Sequence, residues 1–334
     1  MKDTPLSRRE FLERTSKAAG LAAFASLGAV FLHEAERHPF AEDEATVLQR
    51  DLRTGDMRTG DMRTGDGGPR LAIVHGDDPA AMTAAALAAM GGIDAHVSPG
   101  DFVVVKPNIG WDRRPEQAAN TNPAVVGEIV RQCVAAGASR VVVTDVTCND
   151  ATRCFNRSGI AAAAREAGAE IQLPQEAHFR EVNMGGHMLG TQMVYDVYLE
   201  ADKFINVPIA KHHSLTRVTL GMKNLYGILG GNRSRLHQEI DQSICDLATF
   251  LQPTLIVLDA TRVLLRNGPQ GGSLADVEAR NMLVISNDQV ALDACGGELF
   301  FNLSAMDMPW LALAEKQGLG SPSWRDIPYD EITL

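Results

Sequence analysis

From Leu71 onward, short continuous apolar runs alternate with longer stretches in which apolar residues recur every three or four positions. Leu71–His75, Phe102–Val105, Arg140–Asp145, Lys203–Val207, Thr254–Asp259 and Met282–Ser286 are runs of the first kind, suited to strands buried on both faces. Between them, Pro79–Met90 is Ala-rich and predicts a helix. Pro123 opens another, with Asn122 as its cap, Val126, Ile129, Val130 and Val134 along one face, and Gly137 as its stop. Ile160–Ala167 followed by Gly168 repeats the helix-and-stop signal. Glu239–Leu251, with Ile240, Ile244, Leu247 and Leu251 in phase, and Gln289–Phe301 complete the set. Strands alternating with helices in this way predict an α/β fold: a largely parallel sheet with helices on both faces, in Rossmann-like layering. Glu181–Leu199 is less regular and suits a small antiparallel insert.

The N-terminal pattern is different. Ser7-Arg8-Arg9-Glu10-Phe11-Leu12 is a twin-arginine sequence, followed by Lys17 and a mildly apolar run from Ala18 to Leu32 that has no polar face. Residues 1–35 therefore read as a signal or anchor segment for the twin-arginine (Tat) translocase, with Ala35 or Ala41 as candidate residues before a cleavage site. The run is short for a spanning helix. The expected location is periplasmic, or anchored on the outer side of the inner membrane. Residues 36–69 read as a flexible linker, because Arg53-Thr-Gly-Asp-Met57 repeats twice more with a Gly in each unit and no apolar period. Residues 70–322 form the predicted α/β domain, and residues 323–334 a C-terminal tail.

Charge narrows the function. The chain carries a net charge of −11 and an aromatic fraction of 5%, which argues against nucleic acid as a partner, since backbone phosphates need a basic surface and single strands need stacking platforms. Yet residues 203–238 contain no Asp or Glu while holding Lys203, Lys211, Arg217, Lys223, Arg233 and Arg235, together with His212, His213 and His237. A local positive field in an acidic protein attracts a small anionic ligand bearing phosphate or carboxylate. Cys133, Cys148, Cys154, Cys245 and Cys295 form no C-x-x-C, so an iron–sulfur cluster held by this chain is not expected. Cys148 and Cys154 share one loop and read as free thiols, with pairing or soft-metal binding as the alternative.

In open α/β sheets, ligands bind beyond the carboxyl ends of the strands. Those ends carry Lys106-Pro107-Asn108, Asp145, Lys211-His212-His213, Asp259, and Asp288 with Asp293 one turn on. Lysines suit an anionic group. Asp145, Asp259 and Asp293 are the candidate ligands of a divalent metal, the one cofactor this pattern supports. On an extended segment, adjacent histidines point in opposite directions, so one of His212 and His213 is expected to face the site. Gly221-Met-Lys223-Asn224-Leu-Tyr-Gly227 is a glycine-spaced loop without P-loop order, and neither a dinucleotide fingerprint nor a nucleophile elbow is present.

Val105-Lys106-Pro107-Asn108, Thr121-Asn122-Pro123, Asp145, Ile205–His213, Val218–Gly227, Gly268-Pro269-x-Gly271-Gly272 and Asp288–Asp293 together resemble the family called domain of unknown function 362, in order and over roughly residues 70–320. The family pattern has Lys-Thr-His where this chain has Lys211-His212-His213, which places the family histidine at His213. The resemblance implies a fold and a site; at that site Lys211 and His213 are the candidate catalytic residues, and Lys106, Asn108, Thr121, Lys223 and Asn224 the candidate substrate-binding residues. It implies no reaction. Many relatives carry an attached iron–sulfur module, whose cysteines this chain lacks. Two functions follow as expectations: an exported enzyme acting on a small anionic substrate, or a non-catalytic periplasmic accessory protein that delivers a ligand or metal to a redox partner.

Overall fold

A computed structural model describes residues 70–334; residues 1–69, where a signal segment and a linker are expected, lie outside the described residues. The strands are β1 (Leu71–His75), β2 (Phe102–Pro107), β3 (Arg140–Val143), β4 (Glu170–Ile171), β5 (Phe179–Asn183), β6 (Thr191–Tyr195), β7 (Lys203–Val207), β8 (Ile209–His213), β9 (Arg217–Thr219), β10 (Leu255–Leu264), β11 (Val277–Ser286) and β12 (Tyr329–Thr333). Among the described residues, ten of them form one sheet whose main path runs β12-β1-β11-β10-β7-β2-β3-β4. The pairings from β10 through β7, β2 and β3 to β4 are all parallel, as is β1 with β12. The fold is thus α/β with a mostly parallel central sheet. Only β11 runs against both neighbours on this path.

Period-2 alternation places the strand residues on two faces. Val103, Val105, Val141, Val143, Ile205, Val257 and Ile285 pack into one core, while Val104, Val142, Phe204, Ile256, Leu258 and Val284 pack into the other. Helices α1 (Pro79–Ala89) and α2 (Pro123–Ala135) cover the first face; α3 (Ala151–Arg157) and α4 (Ile160–Glu166) extend that layer. After the single turns α5 (Val197–Glu200) and α6 (Gly221–Asn224), helices α7 (Ile240–Phe250), α8 (Gln289–Phe301) and α9 (Pro309–Lys316) cover the second face. Each fully buried Val, Ile or Leu contributes about 1.5–3 kcal/mol, so the two-sided sheet dominates the stability.

Asn122 caps α2 as expected, accepting from the Ala124 amide, with Pro123 in the first turn. The buried face of α2 is rotated slightly from the predicted one: Val125 and Cys133 are buried, whereas Val134 is 42% exposed. The irregular 181–199 segment is an antiparallel hairpin, β5 with β6. Several elements were not anticipated, among them helices α3 and α9 and strands β4, β8, β9 and β12. Strands β10 and β11 reach past the sheet as a long antiparallel pair with an irregularity between Ala260 and Arg262. Pro208, which has no amide proton to give, separates β7 from β8. Both run parallel to β10, β7 opposite Leu255–Ile256 and β8 opposite Asp259–Leu264. The expected tail contains β12, an exposed edge strand whose Asp330 and Glu331 hide its strand character from an apolar-run reading.

Candidate anion-binding cleft

Strand β2 ends in Lys106, and the loop after β3 presents Asp145. Their side chains meet in the core as an ion pair, Lys106 Nζ to Asp145 Oδ1 at 2.8 Å, with Lys106 0% exposed. Asp145 Oδ2 accepts from the Ile109 amide at 2.7 Å. Burial lowers the Lys106 pKa, and Asp145 opposes the shift. Gly227 closes over this pair: a Cβ there would lie 1.9 Å from Asp145 Oδ1 and 2.6 Å from Lys106 Nζ.

Around the pair a small cleft opens to solvent, lined by Lys106, Asn108, Asp145, Lys211, His213, Lys223, Asn224 and Arg233 among others. A one-way chain of amides fixes its floor. Asn206 Nδ2 donates to the Gly221 carbonyl at 2.9 Å, Asn224 Nδ2 to Asn206 Oδ1 at 2.8 Å, and Asn108 Nδ2 to Asn224 Oδ1 at 2.8 Å. Lys211 Nζ then donates to Asn108 Oδ1 at 2.9 Å and to the Ala119 carbonyl at 2.6 Å. Two of the three ammonium donors of Lys211 are thereby used, and both acceptors are neutral.

Lys223 is held differently. It is 7% exposed, its Nζ sits 3.5 Å from the centroid of the Tyr226 ring, and it makes no hydrogen bond or ion pair among the described residues. Burial lowers both Lys211 and Lys223 to about 7, with neighbouring cationic lysines pushing the same way. Arg233 reaches in from the far wall, donating to the carbonyls of Val146 and Thr147, each at 3.0 Å. The charged side chains lining the cleft are thus Lys106, Lys211, Lys223 and Arg233 against the single carboxylate of Asp145.

Of the two histidines, His213 lines the cleft, while His212 Nδ1 turns away and accepts from the Gly268 amide at 3.1 Å. His213 Nδ1 accepts from the Leu215 amide at 3.1 Å, which leaves Nε2 as the protonated nitrogen of the neutral ring. Burial, then the fields of Lys223 and Lys211, drop its pKa to about 3. His213 is therefore a neutral donor at physiological pH.

Several predicted site residues lie outside the cleft. Thr121 is buried beneath it: its Oγ1 donates to the Val207 carbonyl at 2.7 Å and accepts from the Asn108 amide at 2.8 Å, so it positions Asn108. Asp259 accepts from the amides of Asn122 and Thr261 and from the Thr261 hydroxyl, anchoring the start of α2. Asp293 accepts from the Gly221 and Met222 amides and from Trp310 Nε1, capping α6 from α8. Burial raises both carboxyls, Asp293 to about 7. The structure does not bring Asp145, Asp259 and Asp293 together, and among the described residues no group of three or more His, Cys, Asp or Glu side chains is placed to hold a metal ion. Strand-end position could not distinguish a carboxylate aimed at a ligand from one aimed at a helix start.

Other residues emerge only in three dimensions. Arg233 and His237 follow the glycine-spaced motif and read in sequence as a solvated approach to the next helix. In the structure Arg233 walls the cleft and His237 stacks on Tyr226 with ring centroids 5.7 Å apart. Trp111, Cys148 and Tyr226 also line it. The acid-free composition of residues 203–238 was the one signal that included Arg233. Cys148 is exposed and Cys154 buried, both as free thiols.

Comparisons with known proteins bear on the family and on the fold. The family model described as "Domain of unknown function (DUF362)" matches residues 103–298. A thylakoid-associated protein of Synechocystis sp. is 27% identical over 245 residues, which cover 69% of this chain and 72% of that protein. Among solved structures, the lactate racemase apoprotein from Thermoanaerobacterium thermosaccharolyticum aligns with a TM-score of 0.44 at 12% identity, over 68% of this chain and 56% of that one. A protein from Thermotoga maritima aligns with a TM-score of 0.39 at 8% identity, over 72% of this chain and 60% of that one. This chain therefore spans less than two thirds of either structure.

Proposed function

Because the chain belongs to the domain of unknown function 362 family, we propose a function from its cleft: it binds a small phosphate- or carboxylate-bearing ligand and moves a proton on it. The observation that carries this reading is Lys223, a buried lysine with no carboxylate and no hydrogen-bond acceptor among the described residues. An ammonium there has only the face of the Tyr226 ring to compensate it, among the described residues, until an anion arrives. Lys211 and Arg233 add positive field, and His213 presents a neutral N–H to a ligand oxygen. Lys223 holds the anion as an ammonium, and Lys211 is the base, because its neutral amine still has two N–H groups for its two acceptors and a lone pair besides. With pKa values near 7, both lysines are divided between charged and neutral forms at neutral pH.

Calorimetric titration with sodium sulfate at pH 6.5 tests the binding. The Lys223→Met variant is expected to bind sulfate about 10- to 100-fold more weakly, the loss of one charge-assisted contact worth about 1.5–3 kcal/mol. Unchanged affinity in this variant would remove Lys223 from the site and the proposal with it.

We further propose export through the Tat route, on the strength of Arg8 and Arg9. The relative's description as thylakoid-associated fits a location at a membrane. Changing Arg8 and Arg9 together to Lys is expected to trap the chain in the cytoplasmic fraction. Normal export of that variant would show that the pair is not an address.

A further inference from the structure

Of the five cysteines, Cys133, Cys154, Cys245 and Cys295 are buried, and Cys148 is exposed at the wall of the cleft. Its backbone is pinned: the amides of Cys148 and Asn149 both donate to the Gly110 carbonyl, at 2.9 and 3.2 Å. The Arg233 guanidinium comes within 3.8 Å of the sulfur. Lys106, Lys211, Lys223 and His213 line the same space. Lys223, buried and without a hydrogen-bond acceptor among the described residues, supplies the independent sign that this space takes an anion.

A nucleophile inside an anion-binding cleft meets anionic electrophiles at raised local concentration. We propose that Cys148 is a nucleophile of the cleft, adding through sulfur to the carbonyl carbon of a small oxo acid whose carboxylate lies at Lys223. This inference rests on the anion-binding reading above. The carbon–sulfur bond forms as the carbonyl π bond breaks. The electron pair moves to the carbonyl oxygen, which ends with the proton the thiol gives up. The net change is addition of S–H across C=O, with no leaving group and no oxidant or reductant, and it reverses. His213, a neutral donor lining the same cleft, is suited to hold the developing oxyanion.

Competitive alkylation tests the proposal on the purified protein, with the labelled cysteine located by peptide mass. Free cysteine reacts faster with iodoacetamide than with iodoacetate. At Cys148 the order is expected to invert, with the iodoacetate-to-iodoacetamide rate ratio raised about tenfold over that of free cysteine by the local field. The inversion should fade in Lys223→Met and, without any substitution, at high ionic strength. Glyoxylate should slow iodoacetamide labelling of Cys148, and neutral acetaldehyde at the same concentration should not. A ratio equal to that of free cysteine, or equal protection by glyoxylate and acetaldehyde, overturns the role of Cys148. If sulfate still binds in the calorimeter, that failure leaves the anion site standing; if sulfate binding is absent too, both readings fall.

Discussion

Asp145→Ala is expected to lower the stability of the protein by about 3–5 kcal/mol, the cost of stranding one member of a buried ion pair. Lys106 is 0% exposed, and without Asp145 its ammonium keeps only the Pro107 carbonyl, at 3.4 Å. The Ile109 amide loses its acceptor as well. Since burial already lowers the Lys106 pKa, the lysine can relieve part of the penalty by shedding its proton. Asp145→Asn retains an oxygen for Ile109 and is expected to cost less than Asp145→Ala. Urea denaturation should show a lower midpoint at an unchanged slope. A surface pair provides the contrast: Arg140 and Glu170 are also 2.8 Å apart, but both are well exposed, and Glu170→Ala is expected to cost no more than about 1 kcal/mol. Equal effects at the two sites would mean that the Lys106–Asp145 pair does not organise the cleft.

That pair also shows where sequence reasoning reaches its limit. Continuous valine runs announced β2 and β3 because strands covered on both faces need apolar residues at every position. Helix α8 matched its predicted span, Gln289–Phe301, since Asp288 caps its first turn. Lys106, Asn108, Lys211, His213, Lys223 and Asn224 were all expected near one site, and the structure does bring them to one cleft. The roles within it were not legible. Thr121 came from the family motif and Asp259 from the strand-end pattern, but each spends polar atoms on neighbouring backbone. His213 carries the motif's histidine, yet the lysines around it and its own burial hold it neutral. Arg233 lies past the motif in a short 3₁₀ segment. Its approach to Val146 and Thr147 depends on a fold-back that no local pattern encodes.

The central claim is that Lys211 and Lys223 are buried cations awaiting an anion, and the pH dependence of sulfate affinity tests it most directly. Both pKa values are depressed from 10.5 to about 7. Below pH 7 the lysines are charged in the free protein and binding is at full strength. Above it, binding must draw in protons, so affinity should fall by about tenfold per pH unit for each lysine that takes one up. The same linkage makes the ligand-free protein gain stability from these two groups as pH rises from about 7 toward 10.5, where the unfolded chain holds protons that the folded one has lost. Sulfate does not titrate in this range, so the change reports the protein. Titrations between pH 6 and 9 should therefore show a plateau below about 7 and at least a hundredfold loss by 9, accompanied by proton uptake. Affinity that stays level to pH 9 would mean lysines of ordinary pKa on an exposed surface, and would contradict the account.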